Sequence, residues 1–286
     1  MPRRPLASAP AAPPAWLEGV VLVTGASSGI GAALAREAAP TASTIVLVAR
    51  RRERLEALAA ELATVDRAGR APLVVDVRPA DLSTPQGVHG LAEEVGAAHG
   101  HVDVLVNNAG FGDYGLLEEA DPERIARLVA VNVTAPTLLT RELLPGMVAQ
   151  GRGAILMVGS SAGQTPMPGA VVYCASKYFV NGLSEGLRAE LAGTGVTVTQ
   201  LAPGPVATEF DEVSGMDPLT NAAGFARISA EQCAREAWAG LQAGAPLVYP
   251  GAVLRASMRA STLLPQPALR PALARLGQQI RRDCGR

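Results

Sequence analysis

Seven short apolar runs recur along this 286-residue chain, and each is continuous rather than alternating. They are Val20–Thr24, Thr44–Val48, Pro72–Asp76, Val102–Val106, Ala154–Gly159, Val196–Leu201 and Pro246–Tyr249. Between them lie Ala/Leu/Glu/Arg segments of helical period, near Ile30–Ala39, Arg51–Ala63, Leu82–Ala98, Pro122–Ala149, Val172–Leu191 and Ala230–Ala243. A strand that is apolar on both faces must be covered on both faces, which requires a parallel sheet between two layers of helices. The pattern therefore predicts a doubly wound, Rossmann-like α/β fold of about seven strands in a single domain. Its ligand is expected where the strands end, at their carboxyl edges.

The bulk properties set limits on partners. A formal net charge of −1 gives no global attraction to nucleic acid. No run approaches 18 apolar residues, so no transmembrane helix is expected. Cys174, Cys233 and Cys284 have neither a disulfide framework nor metal-ligand spacing, and a reducing cytoplasm fits them best. His99-Gly100-His101 has no companion ligands in the sequence, so no metal site is expected. Residues 1–15, broken by prolines, read as a disordered leader, and residues 16–250 as the folded domain. Residues 251–286 carry seven arginines against the single acid Asp283 and read as a basic helical extension. That extension is expected to be solvated or to touch another subunit, with an anionic membrane surface as the alternative.

The first strand runs into Thr24-Gly25-Ala26-Ser27-Ser28-Gly29-Ile30-Gly31 and then a helix. Glycines let the backbone turn tightly and approach a pyrophosphate, and the helix N-terminus supplies oriented N–H groups. The spacing is Gly-x-x-x-Gly-x-Gly, and no Gly-Lys-Ser/Thr follows, so a nucleoside-triphosphatase loop is excluded. Arg50, at the end of the second strand, stands where an acid would hold a ribose 2′-hydroxyl. A cation there suits a 2′-phosphate, which favours NADP(H) over NAD(H). Asp76, with Val77 beside it, is placed either to take the adenine amine or to cap the next segment.

Lys177 is the only lysine among 25 lysines and arginines, and it follows Tyr173 by four residues in Tyr-Cys-Ala-Ser-Lys. On a helix that spacing puts both side chains on one face. An ammonium beside a phenol lowers the phenol pKa toward the range of a working general acid/base. A compact ammonium on a flexible stem does this where a forked guanidinium does not.

Taken together these motifs resemble the short-chain dehydrogenase/reductase family, in its compact single-domain branch, over roughly Leu17 to Tyr249. The resemblance makes the glycine segment the cofactor loop, with Gly25, Ser27, Ser28, Gly29, Ile30 and Gly31 as binding residues. It makes Asn107-Asn108-Ala109-Gly110 the segment that supports the sheet and lines the adenosine side, with Asn108, Ala109 and Gly110 in contact. Tyr173 and Lys177 fit the active-site pair, Ser160 the serine and Asn132 the asparagine of the preceding helix. Pro203, Gly204, Val206 and Thr208 fall in the segment beside the nicotinamide.

The activity implied is an oxidoreductase transferring hydride between NADP(H) and a carbonyl or alcohol. Tyr173 moves the proton and Lys177 lowers its pKa and binds the nicotinamide ribose. Ser160 holds the substrate oxygen, and Asn132 holds a water between Lys177 and solvent. The resemblance also implies a homodimer or homotetramer built through the two long central helices. Phe111, Ala162, Gln164, Met167 and Phe210 are candidates to face an apolar substrate, and Pro205–Arg227 is long enough to form a lid. The alternatives are a cofactor-binding regulator without turnover and a membrane-associated lipid or acyl reductase.

Overall fold

The computed structural model describes residues 14–215, 227–261 and 266–284. Residues 1–13 of the expected leader and 216–226 of the expected lid lie outside the described residues. Strands β1 (Val20–Thr24), β2 (Thr44–Ala49), β3 (Val74–Pro79), β4 (Val104–Asn107), β5 (Gly153–Val158), β6 (Val196–Leu201) and β9 (Leu247–Val248) form one sheet in the order β3-β2-β1-β4-β5-β6-β9. Every ladder in it is parallel. A small second ladder pairs β7 (Val206–Ala207) with β8 (Ile228–Ser229). The order reverses between β1 and β4, and there the two halves of the sheet part at their carboxyl ends.

Alternation along each buried strand feeds two cores. Val21 and Val23 of β1 join α1 (Gly29–Ala38), α2 (Arg52–Leu62) and α8 (Ala230–Gln242) through Leu34, Leu55 and Trp238. Val20 and Leu22 join α3 (Pro85–His99), α5 (Ala135–Gln150) and α6 (Val171–Glu190) through Leu91, Leu139 and Val180. All five residues of β1 are buried, as a strand covered on both sides must be.

Two boundaries differ from expectation for physical reasons. β3 starts later than the apolar run and continues to Pro79, where Ala49 pairs with Pro79 and Val48 with Arg78. It is an edge strand, half-open to solvent, so polar residues sit in it without losing the ladder. The long helix expected over Pro122–Ala149 is divided into α4 (Pro122–Val129), a π-turn over Ala130–Thr134, and α5. The wider turn holds Asn132, and such turns inside helices are frequent at functional sites. The C-terminal extension forms α9 (Ala252–Ser261) and α10 (Gln266–Cys284).

Candidate active site

A cleft of about 800 Å³ opens across the carboxyl ends of the strands. Its floor at one end is the β1–α1 turn, with Gly25 at φ +67° and Gly29 at φ +56°, both in the region glycine alone enters cheaply. Gly31 does not face the cleft. A side-chain carbon there would meet the Gly25 carbonyl oxygen at 2.3 Å, so this glycine lets helix α1 pack on the loop that precedes it. Asn108 staples the loop to β4, its Nδ2 donating to the carbonyls of Thr24 at 2.8 Å and Gly25 at 3.3 Å. The amides of Asn108 and Ala109 both donate to the Thr24 hydroxyl at 3.0 Å. Ser28, the N-cap of α1, makes no side-chain cap bond, so the first turn keeps donors for an anion.

Arg50 and Arg51 stand on the rim of this end. Arg51 donates to the Ser27 and Ser28 hydroxyls at 3.0 and 3.1 Å and pairs at 3.1 Å with Glu209, which also pairs with Arg54. Asp76 and Val77 do not line the cleft. Asp76 lies within β3, bonded to Arg78 at 2.9 Å and to His99 at 2.8 Å. The correction follows from the true end of β3. Three residues further than the apolar pattern implied, the chain presents Asp81 and Leu82 to the cleft instead. Amide donation from Ser83 holds the Asp81 carboxyl below its ordinary pKa, with the cations Arg50 and Arg127 acting in the same direction. Counting back from the cap at Thr84 and Pro85, the start of α3, would have located the pair.

At the other end Ser160, Tyr173 and Lys177 all line the cleft. Ser160 lies two residues past β5 and accepts the Ala162 amide at 3.1 Å, so it caps the following turn while its hydroxyl proton remains available. Tyr173 lies one helical turn before Lys177 on α6, and the ammonium is 5.8 Å from the phenol ring centroid. Lys177 is 5% exposed and donates to the Val158 carbonyl at 2.9 Å. Burial pulls Lys177 down to about 8. It pushes Tyr173 up to about 12, with the Ser160 hydroxyl opposing. In the protein alone, then, desolvation outweighs the expected lowering of the phenol pKa.

Asn132 is 1% exposed, and its side chain bonds two neighbouring segments. Its Oδ1 accepts the Phe111 amide at 3.1 Å while its Nδ2 donates to the Phe111 carbonyl at 2.9 Å and the Ser176 hydroxyl at 3.1 Å. It is a bracket behind Lys177. Gly110 fits between them, where a Cβ would lie 3.1 Å from Asn132 Oδ1 and 3.5 Å from Lys177 Nζ.

The remaining expected contacts divide cleanly. Ile30, Ala109, Gly110, Pro203, Gly204, Val206 and Thr208 line the cleft. Thr208 closes over the glycine turn, since a Cβ on Gly29 would sit 3.0 Å from its methyl. Phe111, Ala162, Met167 and Phe210 line the cleft with Tyr173, and Phe210 packs on Tyr173 at 5.4 Å between ring centroids. Gln164 does not line it and bonds Tyr249 instead. Sequence reasoning missed Arg124, which donates to Asp113 at 2.6 Å and to the Val213 carbonyl at 2.6 Å, pinning the mouth. It also missed Leu273 and Leu276 of α10, more than 90 residues from Tyr173 and without a motif to mark them. Among the described residues no group of three His, Cys, Asp or Glu is arranged to hold a metal, and no helix is long and apolar enough to cross a membrane.

The arrangement fits a dinucleotide: a glycine cradle and helix N-terminus for the pyrophosphate, arginines at one end and a buried tyrosine, lysine and serine at the other. Comparison with known proteins agrees. A family described as short chain dehydrogenase matches residues 19–233. Dehydrogenase/reductase SDR family member 7B of Bos taurus is 36% identical over 195 residues, 67% of this chain and 59% of that protein's length. Sulfoacetaldehyde reductase of Chromohalobacter salexigens is 40% identical over 225 residues, 76% of this chain and 85% of that protein. A short-chain dehydrogenase from Sphingobium yanoikuyae, solved in complex with NADPH, superposes with a TM-score of 0.75 at 33% identity, covering 85% of this chain and 92% of that one. Matched structures include complexes with NADPH, NADP and NAD.

Proposed function

The chain belongs to the short-chain dehydrogenase/reductase family and is an NAD(P)-dependent oxidoreductase of alcohol and carbonyl groups; from that premise we propose that it is an NADP(H)-dependent reductase of apolar ketones, with Tyr173 as its general acid/base. One observation carries the reading. Tyr173, Ser160 and Lys177 converge at one end of a single cleft whose other end holds the glycine turn and Arg50 and Arg51. NADP(H), when bound, supplies or takes the hydride, and the protein supplies position and proton.

Ser160 donates its hydroxyl proton to the substrate oxygen, which stabilises the charge that develops there in the transition state. Tyr173, neutral over the ordinary pH range, gives its phenolic proton to that oxygen in reduction. Lys177 in its charged form compensates the phenolate left behind, and its buried seat beside Gly110 aims it toward the cofactor ribose. Asn132 holds Phe111 and the start of the substrate wall in register. Arg50 and Arg51 take the 2′-phosphate, Asp81 the adenine edge, and Thr208 the nicotinamide end. The walls formed by Phe111, Ala162, Met167 and Phe210 support an apolar substrate rather than a small anionic one. Exposed Tyr178 and Phe179 on α6, with Val129 on α4 and Val148 on α5, support assembly through the central helices.

The test is oxidation of NADPH and of NADH by the purified protein across a panel of ketones and aldehydes. Reduction of apolar ketones with NADPH preferred is expected. Turnover of small charged carbonyls alone would overturn the substrate reading, and NADPH binding without any turnover would make the chain a regulator.

A further inference from the structure

One wall of the cleft is supplied by chain that lies beyond the shared family region. The family match ends at residue 233, and α9 and α10 come after it. Met258 of α9 and Leu273 and Leu276 of α10 line the same cleft as Tyr173. Residues 273, 276 and 280 fall on one stripe of α10, while Arg270, Arg275 and Arg282 are exposed.

The C-terminal part of that stripe is anchored. Ile280 is 7% exposed, and a side-chain carbon on Gly169 would lie 3.2 Å from its Cδ1. A carbon on Gly277 would lie 3.7 Å from Pro168 Cβ. The helix therefore rests on the segment that leads into Tyr173. Arg281 pairs with Glu118 in the stretch between β4 and α4, tying this end to the opposite lip. The other part of the stripe is not spent on the core. Leu276 remains 40% exposed, and Leu273 is half-buried. A single exposed leucine on a surface means little, but two on one stripe of a cleft wall present apolar area to whatever enters.

We propose that α10 selects the substrate. Leu273 and Leu276 form the subsite for the larger apolar substituent of a ketone or secondary alcohol, and the Arg281–Glu118 pair sets how far that wall stands from Tyr173. The proposal rests on the Tyr173 end being the reacting end. Loss of one methylene of contact in an apolar pocket costs about 10- to 200-fold in discrimination, and a half-open wall belongs at the lower limit.

The experiment compares wild type with Leu273→Ala/Leu276→Ala, Arg281→Glu, Glu118→Arg and the Arg281→Glu/Glu118→Arg exchange, using propiophenone and acetone as ketones. The double leucine variant is expected to raise KM for propiophenone about tenfold relative to that for acetone, with NADPH affinity unchanged. Either single charge reversal should move KM the same way by less, and the exchange should restore it. An unchanged propiophenone-to-acetone preference in both the leucine variant and Arg281→Glu overturns the proposal. If NADPH binds but neither ketone turns over, the reductase reading fails by itself, and calorimetry of propiophenone with the NADP⁺-loaded protein decides the subsite. Binding that weakens in the leucine variant supports it, while equal binding, or none to wild type, overturns it.

Discussion

The two ends of the cleft are built by different physics. The glycine-turn end is local and wet. One contiguous turn, Thr24–Gly31, sets the backbone, and arginines from the next strand's end stand partly in solvent beside it. The Tyr173 end is assembled and dry. Ser160, Tyr173 and Lys177 are each under 10% exposed, and their neighbours come from the β4–α4 stretch, α7 (Phe210–Ser214) and α10. In the proposed reading, charge and backbone shape do the binding where water competes. Burial resets proton affinities where it does not, lifting Tyr173 and lowering Lys177.

The contrast predicts that substitutions at the dry end cost turnover and those at the wet end cost affinity. The largest effect belongs to Tyr173→Phe, which keeps the ring packing on Phe210 and removes the proton. A loss of kcat on the order of 10²- to 10⁴-fold is expected, with NADPH affinity unchanged by fluorescence titration. Retained turnover would remove Tyr173 from the chemistry. Lys177→Arg keeps the charge and loses the compact geometry, and a kcat loss of about 10²-fold is expected. Near wild-type turnover there would mean that charge alone suffices.

Gly31→Ala breaks the local end through packing. The added carbon meets the Gly25 carbonyl and Asn108, and a stability loss of about 1–3 kcal/mol is expected in urea melts. Arg50→Ala with Arg51→Ala should weaken NADPH binding by about tenfold or more, as charged hydrogen bonds are lost, and leave NADH alone. Equal losses for both cofactors would end the NADP(H) preference.

The last effect is in pH. Lys177 titrates near 8 in the folded protein and near its ordinary 10.5 unfolded, so the folded state binds fewer protons between those values. Stability from this group therefore rises from about pH 8 to 10.5, and Lys177→Met should flatten that rise in thermal melts. In turnover the same titration acts the other way. Ketone reduction by wild type should decline above about pH 8 as the ammonium that compensates the phenolate is lost.

How much was legible in the sequence follows the same division. The fold was readable because a buried parallel strand must be apolar on both faces, and β1 and β6 appear at the residues their patterns mark. The glycine turn was readable because its geometry depends on neighbouring residues. β3 was misplaced because an edge strand needs no apolar pattern to keep its ladder, and that shift pointed to Asp76 where Asp81 is the acid that lines the cleft. The π-turn at Asn132 left no mark, because its hydrogen-bonding register changes while the apolar stripe continues.

Local periodicity, turn chemistry and the Tyr173–Lys177 spacing thus determined the sheet, the cradle and the pair, since each is settled within a few residues of chain. Tertiary structure decided the rest. Burial of Tyr173 and Lys177, the commitment of Asn132 to Phe111, the Arg51–Glu209 contact and the approach of α10 to the cleft all join segments far apart in sequence. Desolvation and long-range packing depend on the whole surrounding volume, and no short window of sequence contains it.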